Sequence, residues 1–234
     1  MRVAMWSGPR NLSTAMMYSF AQRPGWEVVD EPFYAAYLAA TGLIHPMQDE
    51  VLSAQPHCAR KVAEVLAARP ETARYEKHMV HHVMSDWDLT WLADVVNVFL
   101  IRHPARVIAS YVEKREQLTL DDLGFRQQFE LFNHVKSQGA TPIVVDSFNV
   151  RADPEQSLKR LCAAIGVTFE PAMLSWPKGP KSYDGAWGPY WYGAVHRSTG
   201  FAGVEGPLPL LDPDMARLAD AAMPFYDALA ASKI

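Results

Sequence analysis

Val3-Ala4-Met5-Trp6-Ser7-Gly8-Pro9-Arg10-Asn11-Leu12-Ser13-Thr14 begins as a short apolar run, turns at Ser7-Gly8-Pro9, and leads into a helical stretch from Ser13 to Ala21. The apolar run is too short for a buried helix and reads as a buried strand ending in the turn. In open α/β sheets ligands bind outside the carboxyl ends of the strands, where free backbone N–H groups and the helix dipole favour an anion. The loop adds a cation at Arg10 and hydroxyls at Ser13 and Thr14, a set that suits a phosphate or sulfate group. It differs from the G-x-x-x-x-G-K-[ST] loop of nucleoside triphosphatases, because no Gly-Lys pair precedes Ser13 and Thr14. An ordinary polar loop, with Ser13 or Thr14 capping the helix, is the plain alternative.

Further short apolar runs lie at Glu27 to Val29, Tyr75 to Val80, Val95 to Ile101 and Pro142 to Val145. Helical patterns separate them: Ala59 to Ala68 after Pro56, Trp87 to Ala93 after Ser85, and Ala105 to Lys114 after Pro104. The alternation predicts a three-layer α/β fold, a mostly parallel sheet with helices on both faces. Asp153-Pro154-Glu155-Gln156 has the cap and proline of a helix start, and Gly166 marks its stop. From Leu174 to Leu210 the pattern is irregular, with Trp176, Tyr183, Trp187, Tyr190, Trp191 and Tyr192 among glycines and prolines; long loops of this kind are usually functional. Asp212 to Ala231 regains helical spacing and is expected to pack back on the sheet.

A chain of 234 residues that is 49% hydrophobic and 21% charged can fill one sizeable core, so a single domain over residues 1–234 is expected. A formal net charge of −4 argues against a broad face for nucleic acid or heparin-like polymers. No run reaches the roughly 18 apolar residues of a membrane span, and none resembles a secretory leader, so a cytoplasmic protein without a membrane partner is expected. Cys58 and Cys162 show no Cys-x-x-Cys spacing and read as buried thiols.

The first loop resembles the 5′-phosphosulfate loop of sulfotransferases that use 3′-phosphoadenosine-5′-phosphosulfate (PAPS). That loop follows a strand, reads Pro-Lys/Arg-Ser-Gly-Thr/Ser-Thr, and opens a helix. Pro9-Arg10-Asn11-Leu12-Ser13-Thr14 matches its proline, cation and two hydroxyls and departs at Asn11 and Leu12. Arg102, at the end of the Val95 to Ile101 run, and Ser110 on the next helix repeat the family's spacing for the 3′-phosphate. His196-Arg197-Ser198-Thr199-Gly200-Phe201 is similar to the late loop that closes over the nucleotide, with Arg197 as its phosphate contact. Pro142 to Asp146, followed by Asp153 to Gly166, resembles the family's late strand and helix. The resemblance covers roughly residues 1–170 and the loop at Arg197, but not the aromatic stretch.

The resemblance implies a P-loop-like sulfotransferase fold and transfer of a sulfuryl group from PAPS to a hydroxyl or amine of a small acceptor, without a metal. Arg10, Asn11, Leu12, Ser13, Thr14, Arg102, Ser110 and Arg197 would bind the donor. Such a transfer needs an aligned acceptor oxygen, cations that absorb charge on the transferred group, and a base within reach of the acceptor proton. Arg10 would stabilise the transferred group. Glu31, just after the second strand run, is the preferred base, with His78 as its rival and Lys77 as a contact to the transferred group. His78, His81 and His82 have the spacing of metal ligands on a helix, yet no carboxylate or cysteine completes a pattern, and no metal is expected. The aromatic segment either roofs the core or walls the acceptor pocket. Two other readings stay open: a P-loop kinase or nucleotide hydrolase, with Ser13 or Thr14 on magnesium and Asp146 at an acidic strand end, and a non-catalytic nucleotide-binding protein that keeps the fold.

Overall fold

The computed structural model describes residues 1–68, 72–112 and 118–234. Five strands form one parallel sheet: β1 (Arg2–Ser7), β2 (Trp26–Asp30), β3 (Ala73–Met79), β4 (Val96–Ile101) and β5 (Ile143–Asp146), in the spatial order β2-β3-β1-β4-β5. Between β1 and β3 lie α1 (Ser13–Phe20), α2 (Tyr34–Thr41), α3 (Gln48–Ala54) and α4 (Ala59–Ala67). The helices α5 (Pro104–Tyr111), α6 (Leu120–Leu123) and α7 (Phe125–Ser137) separate β4 from β5. After β5 come α8 (Ser147–Ala152), α9 (Pro154–Ile165), α10 (Gly188–Trp191), α11 (Gly193–Arg197) and α12 (Pro213–Ala230).

Residues alternate across a strand, and β1 sorts its side chains between the two layers accordingly. Val3 and Met5 pack with Met16, Phe20, Leu158 and Leu161, beneath α1 and α9. Ala4 and Trp6 pack with Val62, Leu131, Phe132 and Leu229, beneath α4, α7 and α12. All six residues of β1 are buried, as expected for a central parallel strand. In register Ser7 faces Met79 on one side and Leu100 on the other, so the carboxyl ends of β3, β1 and β4 finish level around the first loop.

The expected strands and the helices at Ser13, Ala59, Ala105, Asp153 and Asp212 are present, and Lys114 lies outside the described residues. Trp87 to Ala93 does not form the expected α-helix; a 3₁₀ turn covers Thr90–Asp94 instead. The Asp88 carboxylate accepts from both the Thr90 amide (2.9 Å) and its hydroxyl (2.7 Å), which tightens the start of this segment, while Trp91 and Leu92 fix it in the core. The helices α2, α3 and α7 lie in stretches the sequence pattern left unassigned. Cys162 is buried as expected, whereas Cys58 is exposed because it stands outside α4 at its N-cap. Among the described residues no helix is long and apolar enough to cross a membrane.

Candidate active site

The loop after β1 is shaped by two residues in a conformation usually left to glycine. Arg10 has φ 62° and Leu12 has φ 73°. Left-handed residues of this kind turn successive N–H groups toward one side and make an anion-binding concavity. Leu12 is also the N-cap of α1 and offers no side-chain bond to the first helical turn. Ser13 and Thr14 are therefore the first residues of the helix rather than its caps. The strain of holding a leucine there is of order 1–3 kcal/mol, and such strain persists where surrounding structure over-determines it. Asn11 supplies part of that constraint: it is buried, and its side-chain amide donates to the Leu100 carbonyl at 3.1 Å.

Gly8 admits no side chain. A Cβ built there would lie 2.5 Å from the Leu123 carbonyl oxygen, a backbone atom that cannot swing aside. Gly8→Ala is expected to cost about 1–3 kcal/mol, as overpacking does, and to displace the loop after β1 from α6. Thermal unfolding checks this, and an unshifted midpoint would show that the loop tolerates the methyl group.

The loop after β1 and the pair Arg102 and Ser110 meet although they lie far apart in sequence. Arg10 Nε donates to Ser110 Oγ at 2.9 Å, and an Arg102 guanidinium nitrogen donates to the Arg10 carbonyl at 2.7 Å. Both motifs line one cavity of about 370 Å³, as do Asn11, Leu12, Ser13 and Thr14. Arg151, from α8 at the end of β5, joins this wall without having been foreseen. Arg197 is not brought to it; the residue is exposed at the end of α11 and does not line the cavity. Asp146, the candidate acidic strand end, caps α8 by accepting from the Phe148 amide at 2.9 Å and also accepts from Tyr226 at 2.9 Å.

Glu31, Lys77 and Tyr192 line the same cavity, with Glu31 after β2 and Lys77 on β3, on the side of β1 away from β4. Lys77 is 1% exposed, yet it is an ammonium surrounded by acceptors. It donates to Asp30 at 2.9 Å, to Tyr192 Oη at 2.7 Å, and to Glu31 through a short contact. Burial alone would lower its pKa, but Asp30 and Glu31 together hold it above the usual lysine value. Burial raises the Glu31 carboxyl above the ordinary carboxylate range, and Asp30 adds to this while Lys77 opposes it. Glu31 itself has φ 41°, and its amide donates to the Lys77 carbonyl at 2.8 Å, so its backbone is fixed to β3. Tyr192 donates to Asp30 at 2.7 Å and accepts from Trp187 at 2.8 Å, and the Gly185 amide donates to Asp30 at 2.9 Å. The aromatic segment is thus tied to the end of β2 through one buried carboxylate, and its residues Trp191 and Tyr192 form cavity wall.

Strand geometry places Glu31 and His78 differently with respect to the cavity. Lys77 and Met79 face the cavity, so His78, between them on β3, faces the opposite layer. There its ring stacks on Trp6 at 4.3 Å and it bonds to Glu76 at 3.2 Å, while Glu76 pairs with Arg2 at 2.7 Å. Burial lowers the His78 pKa, and its imidazole does not reach the cavity. His81 and His82 do line it. His82 lies 3.6 Å from Glu31 and stacks on Tyr34 at 4.2 Å, and burial holds its pKa well below the usual histidine value, so it stands there as a neutral imidazole.

A model of the sulfotransferase domain family matches residues 1–233, including the aromatic stretch for which the motif comparison had no counterpart. Two curated relatives come from Arabidopsis thaliana. Branched-chain-amino-acid aminotransferase-like protein 2 is 34% identical over 229 residues, covering 96% of this chain and 40% of the relative. Branched-chain-amino-acid aminotransferase-like protein 1 is 38% identical over 199 residues, covering 84% of this chain and 36% of the relative. The chain therefore spans about two fifths of the length of these relatives. Among solved structures, the sulfotransferase domain of the Synechococcus PCC 7002 olefin synthase is 17% identical with a TM-score of 0.51, covering 94% of both chains. A sulfotransferase from Alicyclobacillus acidocaldarius is 11% identical with a TM-score of 0.51, covering 100% of this chain and 98% of that one. These likenesses establish the P-loop-like α/β fold.

Proposed function

The chain belongs to the sulfotransferase domain family, and from that premise we propose that it transfers a sulfuryl group from PAPS to a hydroxyl or amine of a small acceptor. The observation that carries this reading is the meeting of Arg10, Ser110 and Arg102 in a cavity that Glu31 and Lys77 also line. In this reading the left-handed loop and the start of α1 receive the 5′-phosphosulfate, and Arg102 and Ser110 receive the 3′-phosphate. Arg10 absorbs charge on the transferred group as the bond to the leaving phosphate breaks. Glu31 takes the proton of the attacking acceptor, and Lys77 keeps that carboxyl available as a carboxylate despite burial. The aromatic wall at Trp191 and Tyr192 forms the acceptor side, and the cytoplasm is its proposed place of action.

Incubation with ³⁵S-labelled PAPS and panels of phenols, alcohols, sugars and amines tests the assignment. Labelled product from at least one panel is expected. Magnesium-dependent consumption of ATP with no turnover of PAPS would favour the kinase reading instead. Arg102→Ala is expected to raise KM for the donor by roughly 10–100-fold, the loss of charge-assisted hydrogen bonds, with kcat changed much less. Steady-state kinetics at saturating acceptor checks this split.

A further inference from the structure

Residues 202–210 form a strap beside the donor cavity, which Ala202 lines. The strap has no regular secondary structure, and Val204, Leu208 and Leu210 are 65%, 50% and 101% exposed. Arginines hold it down. Arg151 donates to the Gly203 carbonyl at 3.0 Å, and Arg106 donates to the Gly206 carbonyl at 2.5 Å. Between these points Glu205 is 8% exposed, and its carboxylate pairs with Arg151 at 2.6 Å, with Arg106 at 3.3 Å, and with Arg102 through a short contact. Burial works against ionisation of Glu205, yet the guanidiniums, Arg102 foremost, hold its pKa below the ordinary value. The strap therefore carries a fixed anion into an arginine cluster.

Two of those arginines, Arg102 and Arg151, also line the cavity. A guanidinium has a fixed fork of donors, and Arg102 already directs one arm to the Arg10 carbonyl and the other to Glu205. An incoming phosphate needs the same N–H groups that the carboxylate uses.

We infer that Glu205 is a specificity-determining residue of the donor site: its carboxylate competes with the donor's 3′-phosphate for Arg102 and Arg151, and the strap is displaced when that phosphate binds. This rests on the donor reading above. Because strap and phosphate draw on the same arginines, closure of the strap lowers the apparent affinity for a 3′-phosphorylated nucleotide in proportion to the closed population. A nucleotide with a bare ribose meets no such competition. Loss of the carboxylate also leaves three arginines without their counter-charge, which favours a phosphate further.

Calorimetric titration of wild type and Glu205→Gln with 3′,5′-ADP and with 5′-AMP tests the inference, together with hydrogen exchange across residues 202–210. The variant is expected to bind 3′,5′-ADP about tenfold tighter, which corresponds to ~1.4 kcal/mol, and to bind 5′-AMP as wild type does. Addition of 3′,5′-ADP to wild type should speed exchange in the strap. Glu205→Asp, which keeps the charge on a shorter arm, should fall between wild type and Glu205→Gln. Equal or weaker 3′,5′-ADP binding by Glu205→Gln, or added protection of the strap, overturns the inference and leaves the donor reading standing. Failure of both nucleotides to bind either protein removes the donor reading and this inference with it.

Discussion

Lys77→Met is expected to destabilise the fold by about 3–5 kcal/mol at neutral pH, the cost of breaking a buried ion pair by removing one partner. The substitution strips the cation from between Asp30 and Glu31 and removes a donor from Tyr192, while methionine, one heavy atom shorter, keeps most of the apolar stem. The two carboxyls would then share a buried site without a positive charge. They can relieve this only by taking up a proton. The sign of the pH dependence follows. Glu31 already has a folded pKa above its unfolded value, so its native form binds protons more readily and stability falls as pH rises between the two values. Without Lys77 that rise in pKa grows, so the variant's deficit should be smallest near pH 5 and largest above pH 7. Unfolding at pH 5 and pH 8 measures the difference. Equal deficits at the two pH values would mean that the carboxyls are not what the lysine stabilises.

Glu31→Gln should separate chemistry from folding. Glutamine keeps the shape of the side chain, and Asp30 remains to pair with Lys77 at 2.9 Å, so the fold is expected to survive. The lost base should lower kcat by about 10²–10⁴-fold, the range general-base catalysis supplies, while affinity for 3′,5′-ADP stays within about a factor of two. Wild-type activity should rise with pH through the raised pKa of Glu31, because only the carboxylate can take a proton. That limb should be missing from the variant's profile. A kcat close to wild type would move the base elsewhere on this wall, with His82 beside Glu31 as the next side chain to change.

The parts of the site that could be read in the sequence are those carried by local order. A strand, a turn and a helix in succession place residues 8–14 at the mouth of the sheet, and Arg102 is read the same way, since it follows β4 directly and α5 brings Ser110 to the same wall. The Glu31 and His78 alternatives were separable in principle. Lys77 and His78 are neighbours on a strand and cannot both face the cavity, and the buried strand's period of two settles which one does once its face is known. Other members depend on contacts that no local pattern encodes. Tyr192 and Asp30 are 162 residues apart, and Arg102 and Glu205 are 103 apart. Arg151 left one signal, a cation soon after a strand of the parallel sheet, where ligand sites lie. Arg197 shows the converse: a cation in a loop similar to a known one, placed by α11 outside the cavity.

The measurement that bears most directly on the central claim is calorimetric titration of the wild-type chain with 3′,5′-ADP, set beside ATP with magnesium. The account predicts one-site binding of 3′,5′-ADP without magnesium and much weaker binding of ATP. Tight magnesium-dependent ATP binding with no response to 3′,5′-ADP would contradict it.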